Sequence, residues 1–272
     1  MDDIDYAAAR FVEARSTAQG LADYPGRLPE SLDAAYRVQQ KAIAGWSDRV
    51  VGWKVGRIQP HLVGLLGAER FIGPVFAQTV TKAGATNYFP AFLGGVAVFE
   101  AEVMISAAAD APTDKQDWTA QEASALVAAM NVGIEIAGSP LASINELGSL
   151  VTIAGFGNNN GLFVGPEILD WRERDWQNLI CMVRIGGEVI AEASAAAVPG
   201  GPLEAFTFAL GEAARQGRPI RRGDIVSTGA ITGMHVVTIG QRCVATFGGV
   251  GDIDCEVIPA VAQPHAERGC AR

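Results

Sequence analysis

The sequence contains few of the residues that build disulfide frameworks and zinc sites. Its four cysteines follow no Cys-x-x-Cys spacing and lie in the second half of the chain, at Cys181, Cys243, Cys255 and Cys270. Its three histidines are scattered, at His61, His235 and His265. Zinc sites and small secreted domains instead show closely spaced cysteines or histidines. The sequence therefore argues against a disulfide framework or a zinc site.

Positive charge and long apolar runs are also scarce. The chain has 21 Lys and Arg against 30 Asp and Glu, a net charge of -9. Nucleic acids and anionic membrane surfaces attract a positive field, so neither is expected as the main partner. No apolar run approaches the roughly 18 residues of a membrane span, and the acidic start "MDDIDYAAARFVEAR" lacks the order of a signal peptide. These features predict a cytoplasmic protein.

What the chain does contain is material for a core, since 49% of its residues are hydrophobic. Helical patterns at 5–19 and 31–46 predict a small N-terminal helical cap, followed by a short β-rich run at 50–58. Two further helices are predicted at 119–130 and 202–217. Strands are predicted at 97–106, 149–155, 160–165, 178–186, 188–194, 224–229, 234–239, 242–248 and 252–258.

Strands outnumber helices and do not alternate with them, which favours an α+β fold over a doubly wound sheet. We interpret residues 1–80 as the helical cap with a lysine-bearing loop and residues 81–272 as a β-rich catalytic body. The two segments form one continuous structural unit, because no linker or low-complexity tract separates them.

The run "VAVFEAEVMI" places Glu100 and Glu102 inside a predicted strand. Alternation puts both side chains on one face, with α-carbons about 6.5–7 Å apart. Glu135 lies in a second β-rich run, "VGIEIAGS". Burying carboxylates without a partner is costly, and a divalent cation would resolve the conflict. Oxygen ligands favour Mg²⁺, with Mn²⁺ as a substitute. The alternative is that the pair lies on the wet face of an antiparallel strand.

Five fragments, in this order and approximate spacing, carry a resemblance to a known family: "VVGWKVG", "VFEAEVMI", "VGIEIAGS", "GFGNNNGLFVGPEI" and "GDIVSTGAITGMHVVTIGQ". Together they resemble the fumarylacetoacetate hydrolase superfamily, and within it the 2-oxopent-4-enoate hydratases and 4-oxalocrotonate decarboxylases. With "PESLDAAYRVQ" near the start, the resemblance covers nearly the whole chain.

The resemblance implies a mixed β-roll or sandwich body and a metal bound by Glu100, Glu102 and Glu135. It places the family's active-site lysine on Lys54, which by residue type alone could be an ordinary lysine at the end of a strand. It also implies a homo-oligomer that acts on short 2-oxo acids, and a possible complex with a paralogous decarboxylase or hydratase.

The implied reaction is the Mg²⁺-dependent hydration of 2-hydroxypenta-2,4-dienoate-like substrates in the meta-cleavage catabolism of aromatics. The first alternative is decarboxylation of 2-oxo-3-hexenedioate (4-oxalocrotonate), because both reactions pass through the same dienolate. A second carboxylate on the substrate would then require another basic group in the pocket. Acylpyruvate-type C–C hydrolysis ranks third, and a non-catalytic partner of a decarboxylase is the fourth reading.

Further candidate residues have less support from the sequence. Glu69 is the acid nearest to the position where the hydratases carry their base, and it is a candidate catalytic residue beside Lys54. Either it replaces that base or it is a loop charge paired with Arg70. Hydrogen-bonding and cationic groups that can bind the substrate are predicted at Arg57, Asn159, Asn160, Ser227 and Thr228. A turn or hairpin role is equally open for the asparagines and hydroxyl residues.

Overall fold

Six α-helices lie within residues 2–263, which are the residues described by the computed structural model of the chain. They are α1 (Asp3–Ser16), α2 (Leu32–Gly45), α3 (Pro60–Leu66), α4 (Ala120–Ala125), α5 (Ser149–Ala154) and α6 (Gly201–Arg215). His265 and Cys270 lie outside the described residues. None of the helices in this part of the chain is long and apolar enough to cross a membrane.

Residues 2–263 also contain four short 3-10 helices and thirteen β-strands. They are β1 (Val50–Arg57), β2 (Arg70–Phe76), β3 (Val80–Lys82), β4 (Asn87–Ala91), β5 (Val96–Ala107), β6 (Val127–Ser139), β7 (Asn159–Glu167), β8 (Ile180–Ile185), β9 (Glu188–Ser194), β10 (Ile225–Ser227), β11 (His235–Val236), β12 (Arg242–Phe247) and β13 (Gly251–Pro259).

The strands form two mixed sheets. The larger sheet has eight strands in the order β2-β1-β10-β5-β6-β7-β3, with β11 also paired to β5. The smaller sheet has the order β4-β13-β12-β8-β9. In the larger sheet β5 and β6 form a long antiparallel pair, and β10 joins this pair to β1 by a parallel contact. This arrangement places the strand that carries Lys54 two strands away from the one that carries Glu100 and Glu102.

The helices cover parts of these sheets and extend one hydrophobic core. Helices α1 and α2 pack on each other, α2 contacts α5, and α6 contacts β1, β2 and β5. Phe11 of α1, Trp53 of β1, Phe99 of β5 and Phe206 of α6 are all buried in the same cluster. Since the cluster joins helices to both sheets, the helical N-terminal segment is packed against the strands that carry the predicted site.

The α+β fold class predicted from the sequence is confirmed, with two sheets and comparatively few helices. The first two helices, the strand at 50–57 and the long C-terminal helix lie close to their predicted ranges. Thr119 and Glu122 form the capping box expected at the start of α4. The division at residue 80 stays a prediction, although β1 and β2 share a sheet with β5, β6 and β7.

Two predicted elements are wrong. Residues 149–155 were expected to form a strand because "SLVTIA" is apolar and partly β-branched, but they form α5, which packs on α2. The helix predicted at 119–130 ends at Ala125, and β6 begins at Val127. In both cases tertiary packing overrides the local preference. The segment 149–154 packs on α2 as a helix, and β6 gains a ladder with β5 and a second one with β7.

A close contact between two glycines fixes the backbone next to Lys54. A Cβ atom on Gly73 of β2 would lie 2.6 Å from the Cα atom of Gly157. Gly157 is the middle residue of a left-handed turn, with φ values of +62° at Phe156, +65° at Gly157 and +62° at Asn158. Non-glycine residues adopt this conformation at a cost, so the turn depends on its packing.

We expect Gly73→Ala to lower the free energy of unfolding by about 1–3 kcal/mol, because the added methyl group has no space against Gly157. The midpoint of urea unfolding measures the change. Gly64→Ala in α3 is the matched control, since its Cβ meets no atom within 4 Å and alanine is the better helix former. Equal midpoints for the two variants would contradict the packing argument.

Candidate metal centre and substrate cavity

The three predicted glutamates come together on one face of the larger sheet. Glu100 of β5 lies directly opposite Glu135 of β6, and Glu102 lies opposite Gly133. One carboxylate oxygen from each glutamate lies within 4.8 Å of the others. All three side chains are buried, with residue exposures of 6% or less. The alternative in which Glu100 and Glu102 lie on the solvent-exposed face of the strand is therefore wrong.

Two hydrogen bonds from the end of β10, the strand next to β5, hold Glu102 in place. The Ser227 hydroxyl donates to Glu102 Oε2 at 2.5 Å, and the backbone N–H of Gly229 donates to the same oxygen at 2.8 Å. Ser227 is the last residue of β10, which pairs with β5 and positions the hydroxyl. These two hydrogen bonds fix Oε2 of the carboxylate, and Oε1 takes no part in them.

Glu135 is held in a similar way by two different donors. Lys54 Nζ lies 3.0 Å from Glu135 Oε1, and the side-chain amide of Asn159 donates to the same oxygen at 3.0 Å. Lys54 comes from β1 and Asn159 from the start of β7, so three strands converge on this carboxylate. Lys54 is itself 5% exposed, which makes the ion pair a buried one.

Two oxygen atoms of this cluster are left without a donor among residues 2–263. Glu102 Oε1 and Glu135 Oε2 are buried, and neither has a hydrogen-bond partner. Burying a carboxylate oxygen without a hydrogen-bond donor costs free energy unless the oxygen binds a cation. The residues therefore fit a divalent cation, which Glu100, Glu102 and Glu135 would hold through oxygen ligands of the kind that Mg²⁺ and Mn²⁺ prefer.

The electrostatics of the cluster agree with this fit. Burial raises the pKa of Glu100 to about 7, and burial together with the charges of Glu135 and Glu100 raises the pKa of Glu102 well above its usual value. Burial alone would lower the pKa of Lys54, but the three glutamates outweigh it and raise that pKa. The lysine therefore stays a cation at neutral pH, and the carboxylates need more positive charge than it supplies.

A cavity of about 320 Å³ opens onto this cluster. Its polar lining residues are Lys54, Arg57, Gln59, Arg70, Glu100, Asn145, Ser149, Thr152, Asn158 and Thr228. Apolar groups, among them Val55, Phe71, Val198 and Met234, form the rest of the wall. A concave site with convergent charged groups and an apolar wall is typical of small-molecule binding.

The structure places the predicted site residues in different surroundings. Lys54, Arg57 and Thr228 line the cavity, while Ser227 lies outside its lining and holds Glu102 of the glutamate cluster. Thr228 directs its own hydroxyl to the carbonyl of Val103 at 2.7 Å. These residues therefore combine a cationic wall with hydrogen bonds that hold the strand ends in place.

Glu69 lies outside the lining of this cavity and borders a separate groove beside α2 and α6. Its neighbour Arg70 borders the same groove and also lines the cavity. Arg70 does not pair with Glu69: it donates to the carbonyl of Pro199 at 2.5 Å and lies 4.0 Å from Glu204. The catalytic role of Glu69 stays a prediction without a contact to the cavity.

Asn159 and Asn160 line a second cavity, which shares no lining residue with the first. Asn159 supports Glu135, and Asn160 donates to the carbonyl of Pro90 at 3.1 Å. Of the three consecutive asparagines, the one that lines the first cavity is Asn158, whose backbone is left-handed. Substrate binding by Asn159 and Asn160 therefore stays a prediction that these contacts do not support.

Sequence reasoning missed Asn145, and it considered Arg70 only as a partner of Glu69. It included Asn158 in the asparagine run that could bind the substrate but selected Asn159 and Asn160, so the correct segment was found but not the correct side chain. The sequence around Asn145, "LASINELGS", contained no signal. The amide of Asn158 lies 3.4 Å from Asn145 Oδ1, and Asn158 Oδ1 is buried without a partner in the described residues.

No protein-family model matches the chain. A 2-keto-4-pentenoate hydratase of Paraburkholderia phymatum is 28% identical over 258 residues, which cover 92% of this chain and 95% of the relative. A 2-keto-4-pentenoate hydratase of Burkholderia vietnamiensis is 27% identical over 253 residues, which cover 90% and 94%.

Solved structures share the fold. The 4-oxalocrotonate decarboxylase of Pseudomonas putida G7, complexed with magnesium and adipate, has a TM-score of 0.76 at 19% identity, over 94% of this chain and 97% of that one. The fumarylpyruvate hydrolase of Pseudomonas aeruginosa, in complex with Mn²⁺ and pyruvate, has a TM-score of 0.54 at 18% identity, over 78% of this chain and 91% of that one.

Fold and site together define a class of α+β protein in which a buried carboxylate centre meets a small-molecule cavity. The chain is similar over nine-tenths or more of its length to relatives named 2-keto-4-pentenoate hydratase, and it shares the fold of a 4-oxalocrotonate decarboxylase and a fumarylpyruvate hydrolase. The family resemblance stated from the sequence fragments is thereby confirmed, as is the fold that it implied.

Mg²⁺ should raise the unfolding temperature more at about pH 8 than at about pH 6. The folded-state pKa of Glu100 is about 7, above its usual 4.5, so its contribution to stability without metal is complete below about pH 4.5 and is lost as pH rises through about 7. Mg²⁺ competes with the proton on Glu100 and binds more tightly once that proton has dissociated.

Scanning calorimetry with millimolar MgCl₂ or EDTA measures the unfolding temperature at each pH. An equal increase on adding Mg²⁺ at the two pH values would contradict this prediction.

Proposed function

We propose that the chain is a Mg²⁺-dependent lyase that adds water to 2-hydroxypenta-2,4-dienoate or a similar 2-oxo-4-enoate. The observation that carries the proposal is the buried glutamate cluster beside Lys54, which opens onto a cavity with a cationic wall. Relatives named 2-keto-4-pentenoate hydratase align with more than nine-tenths of the chain, which supports the choice of reaction. The substrate would come from the meta-cleavage of aromatic rings.

Glu100, Glu102 and Glu135 would hold the cation through their buried oxygen atoms. When bound, it would supply Lewis acidity and a template for the carboxylate and 2-oxo groups of the substrate. Ser227 and Gly229 keep Glu102 in position, and Asn159 does the same for Glu135.

Lys54 contributes a fixed positive charge at the cavity wall. Its raised pKa keeps it protonated, so it would act as a hydrogen-bond donor to the substrate's carboxylate or enolate oxygen, and not as a base. The ion pair with Glu135 holds the ammonium group in place before the substrate arrives. Preorganised charge of this kind stabilises the negative charge that develops during ketonisation.

Asn158 and Asn145 are the neutral polar pair of the cavity. The free Asn158 Oδ1 can accept a hydrogen bond from the attacking water or from a substrate hydroxyl, and its position is set by the left-handed turn at residues 156–158. Asn145 limits the rotation of this amide through the 3.4 Å contact. We assign the pair to positioning the water, while the base itself stays unassigned.

One observation favours the decarboxylase alternative. Arg57 and Arg70 both line the cavity, in addition to Lys54, so the wall contains two cations beyond the one beside the glutamates. A substrate with a second carboxylate, such as 2-oxo-3-hexenedioate, requires such a group. Arg70 is the better candidate because its side chain is 13% exposed and anchored to Pro199, whereas Arg57 is exposed.

The hydrolase and partner-protein readings receive less support. Hydrolases of this superfamily would be expected to use a histidine, and His61, the one histidine in the first half of the sequence, is exposed in α3 and lies outside the cavity lining. The retained glutamate cluster and Lys54 favour an active lyase over a non-catalytic partner. Assembly into a homo-oligomer, a complex with a paralogous enzyme and a cytoplasmic location all stay predictions.

Ultraviolet absorbance and CO₂ release separate the two lyase reactions. We expect the purified protein with Mg²⁺ to remove the diene absorbance of 2-hydroxypenta-2,4-dienoate without CO₂ release, and EDTA to stop the reaction. CO₂ release from 2-oxo-3-hexenedioate, with no consumption of the dienoate, would identify a decarboxylase instead. Turnover that is unchanged by EDTA would contradict metal dependence.

Glu102→Gln should reduce turnover by at least about 100-fold, because the amide keeps the shape and the contacts of the side chain but is a poor ligand for Mg²⁺. Steady-state rates at saturating Mg²⁺ measure the loss. Glu192→Gln on the exposed strand β9 is the matched control and should retain wild-type rates. Normal turnover by the Glu102 variant would remove this residue from the site.

Arg70→Gln should weaken the binding of adipate, a saturated diacid, by about tenfold and leave the binding of pentanoate unchanged. Truncating a cation that faces a carboxylate costs on the order of 1–3 kcal/mol. Isothermal titration calorimetry with Mg²⁺ present measures both affinities, and Arg222→Gln on the surface controls for the lost charge. An equal loss for the two acids would show that Arg70 contacts the carboxylate common to both.

A further inference from the structure

A second cavity, of about 230 Å³, is connected to the glutamate cluster through Asn159, which lines it and donates to Glu135. Its polar side chains are Arg15, Gln78, Thr79, Thr81, Asn159, Asn160 and Gln263. Aromatic rings form the opposite part of the wall, among them Trp46, Phe76, Phe92 and Phe163. This volume lies below the range of about 300–1,000 Å³ that drug-sized ligands occupy, so the cavity fits a small molecule.

Arg15 of α1 is the charged group of this cavity, and it is only 6% exposed. Its guanidinium donates to the carbonyl of Gly138 at 2.8 Å and approaches Asn160 Oδ1 at 3.3 Å and the carbonyl of Gly155 at 3.5 Å. Its Nε atom is buried without a hydrogen-bond partner in residues 2–263. The protein thus satisfies only part of the five N–H donors of the guanidinium.

The charge of Arg15 is not neutralised by the chain. Within the described residues no carboxylate lies within ion-pair distance of it, and Glu135 on the neighbouring strand is already held by Lys54 and Asn159. Burial lowers the pKa of the guanidinium to about 9, which still leaves a cation at neutral pH. An uncompensated buried cation is strongly unfavourable, so an anion in the cavity would stabilise the protein.

The walls indicate the chemistry of that anion. The guanidinium carbon lies 5.0 Å from the ring centre of Phe156 and 5.5 Å from that of Phe92, so aromatic rings cover its faces and hydrogen bonds form at its edge, which the protein occupies only in part. A guanidinium edge matches a carboxylate, and the rings of Trp46, Phe76 and Phe163 match a flat apolar body.

We propose that this second cavity is a binding site for a small aromatic carboxylate, whose charged group pairs with Arg15 and whose ring packs against Trp46, Phe76 and Phe163. The site is separate from the substrate cavity, since the two have no lining residue in common. The proposal does not depend on which lyase reaction the first cavity carries out.

Benzoate is the probe, and isothermal titration calorimetry of the full chain is the measurement. We expect benzoate to bind, and benzyl alcohol and inorganic phosphate to bind at least about tenfold more weakly, because the first lacks the charge and the second lacks the ring. Arg15→Gln should reduce benzoate affinity by at least about tenfold. Arg70→Gln, which alters the other cavity, should leave it unchanged.

Thr81→Trp keeps the test valid if the Arg15 variant fails to fold. Thr81 is exposed at the rim of the cavity in β3, and an indole there should block entry while Arg15 stays intact. Lys82→Trp, at the next and oppositely directed position, is the matched control and should bind like the wild type. The proposal is overturned if benzoate does not bind, if Thr81→Trp binds it normally, or if benzyl alcohol binds equally well.

Discussion

The burial of three carboxylates against one lysine is the constraint on which the rest of the structure depends. Glu100, Glu102 and Glu135 lie within one apolar sheet, and Lys54 supplies a single compensating charge. Left alone, this excess of negative charge would protonate or destabilise the fold. A divalent cation would remove the conflict, and the same cation would give the cavity a Lewis acid. The interaction that would stabilise the core is thus also the proposed source of the chemistry.

The sheet topology explains how these groups meet. The antiparallel register of β5 and β6 sets Glu100 opposite Glu135, and β10 links β5 to the strand that carries Lys54. The turn at residues 156–158 closes the site through the contact between Gly73 and Gly157 and directs Asn158 to the cavity. The donors that hold the glutamates come from strand ends, where backbone and side-chain groups are free to point inward.

Much of this arrangement could be predicted from the sequence, for identifiable reasons. Period-two alternation placed Glu100 and Glu102 on one face, and the ordered fragments indicated the superfamily and its α+β fold. Information about local conformation was insufficient elsewhere. The segment "SLVTIA" has a strand-like composition but packs as a helix, and left-handed φ values select Asn158, not Asn159 or Asn160, for the cavity. Whether Glu69 or Arg70 lines the substrate cavity likewise depends on where each side chain projects, which composition does not reveal.

The most direct test of the central claim is anomalous diffraction from a crystal soaked in Mn²⁺. The account predicts one peak bounded by carboxylate oxygens of Glu100, Glu102 and Glu135, at distances of about 2.0–2.2 Å, close to those that Mg²⁺ adopts with oxygen ligands. Crystals in which the three side chains keep their positions but no peak appears among them, at millimolar Mn²⁺ and a pH above 7, would contradict it.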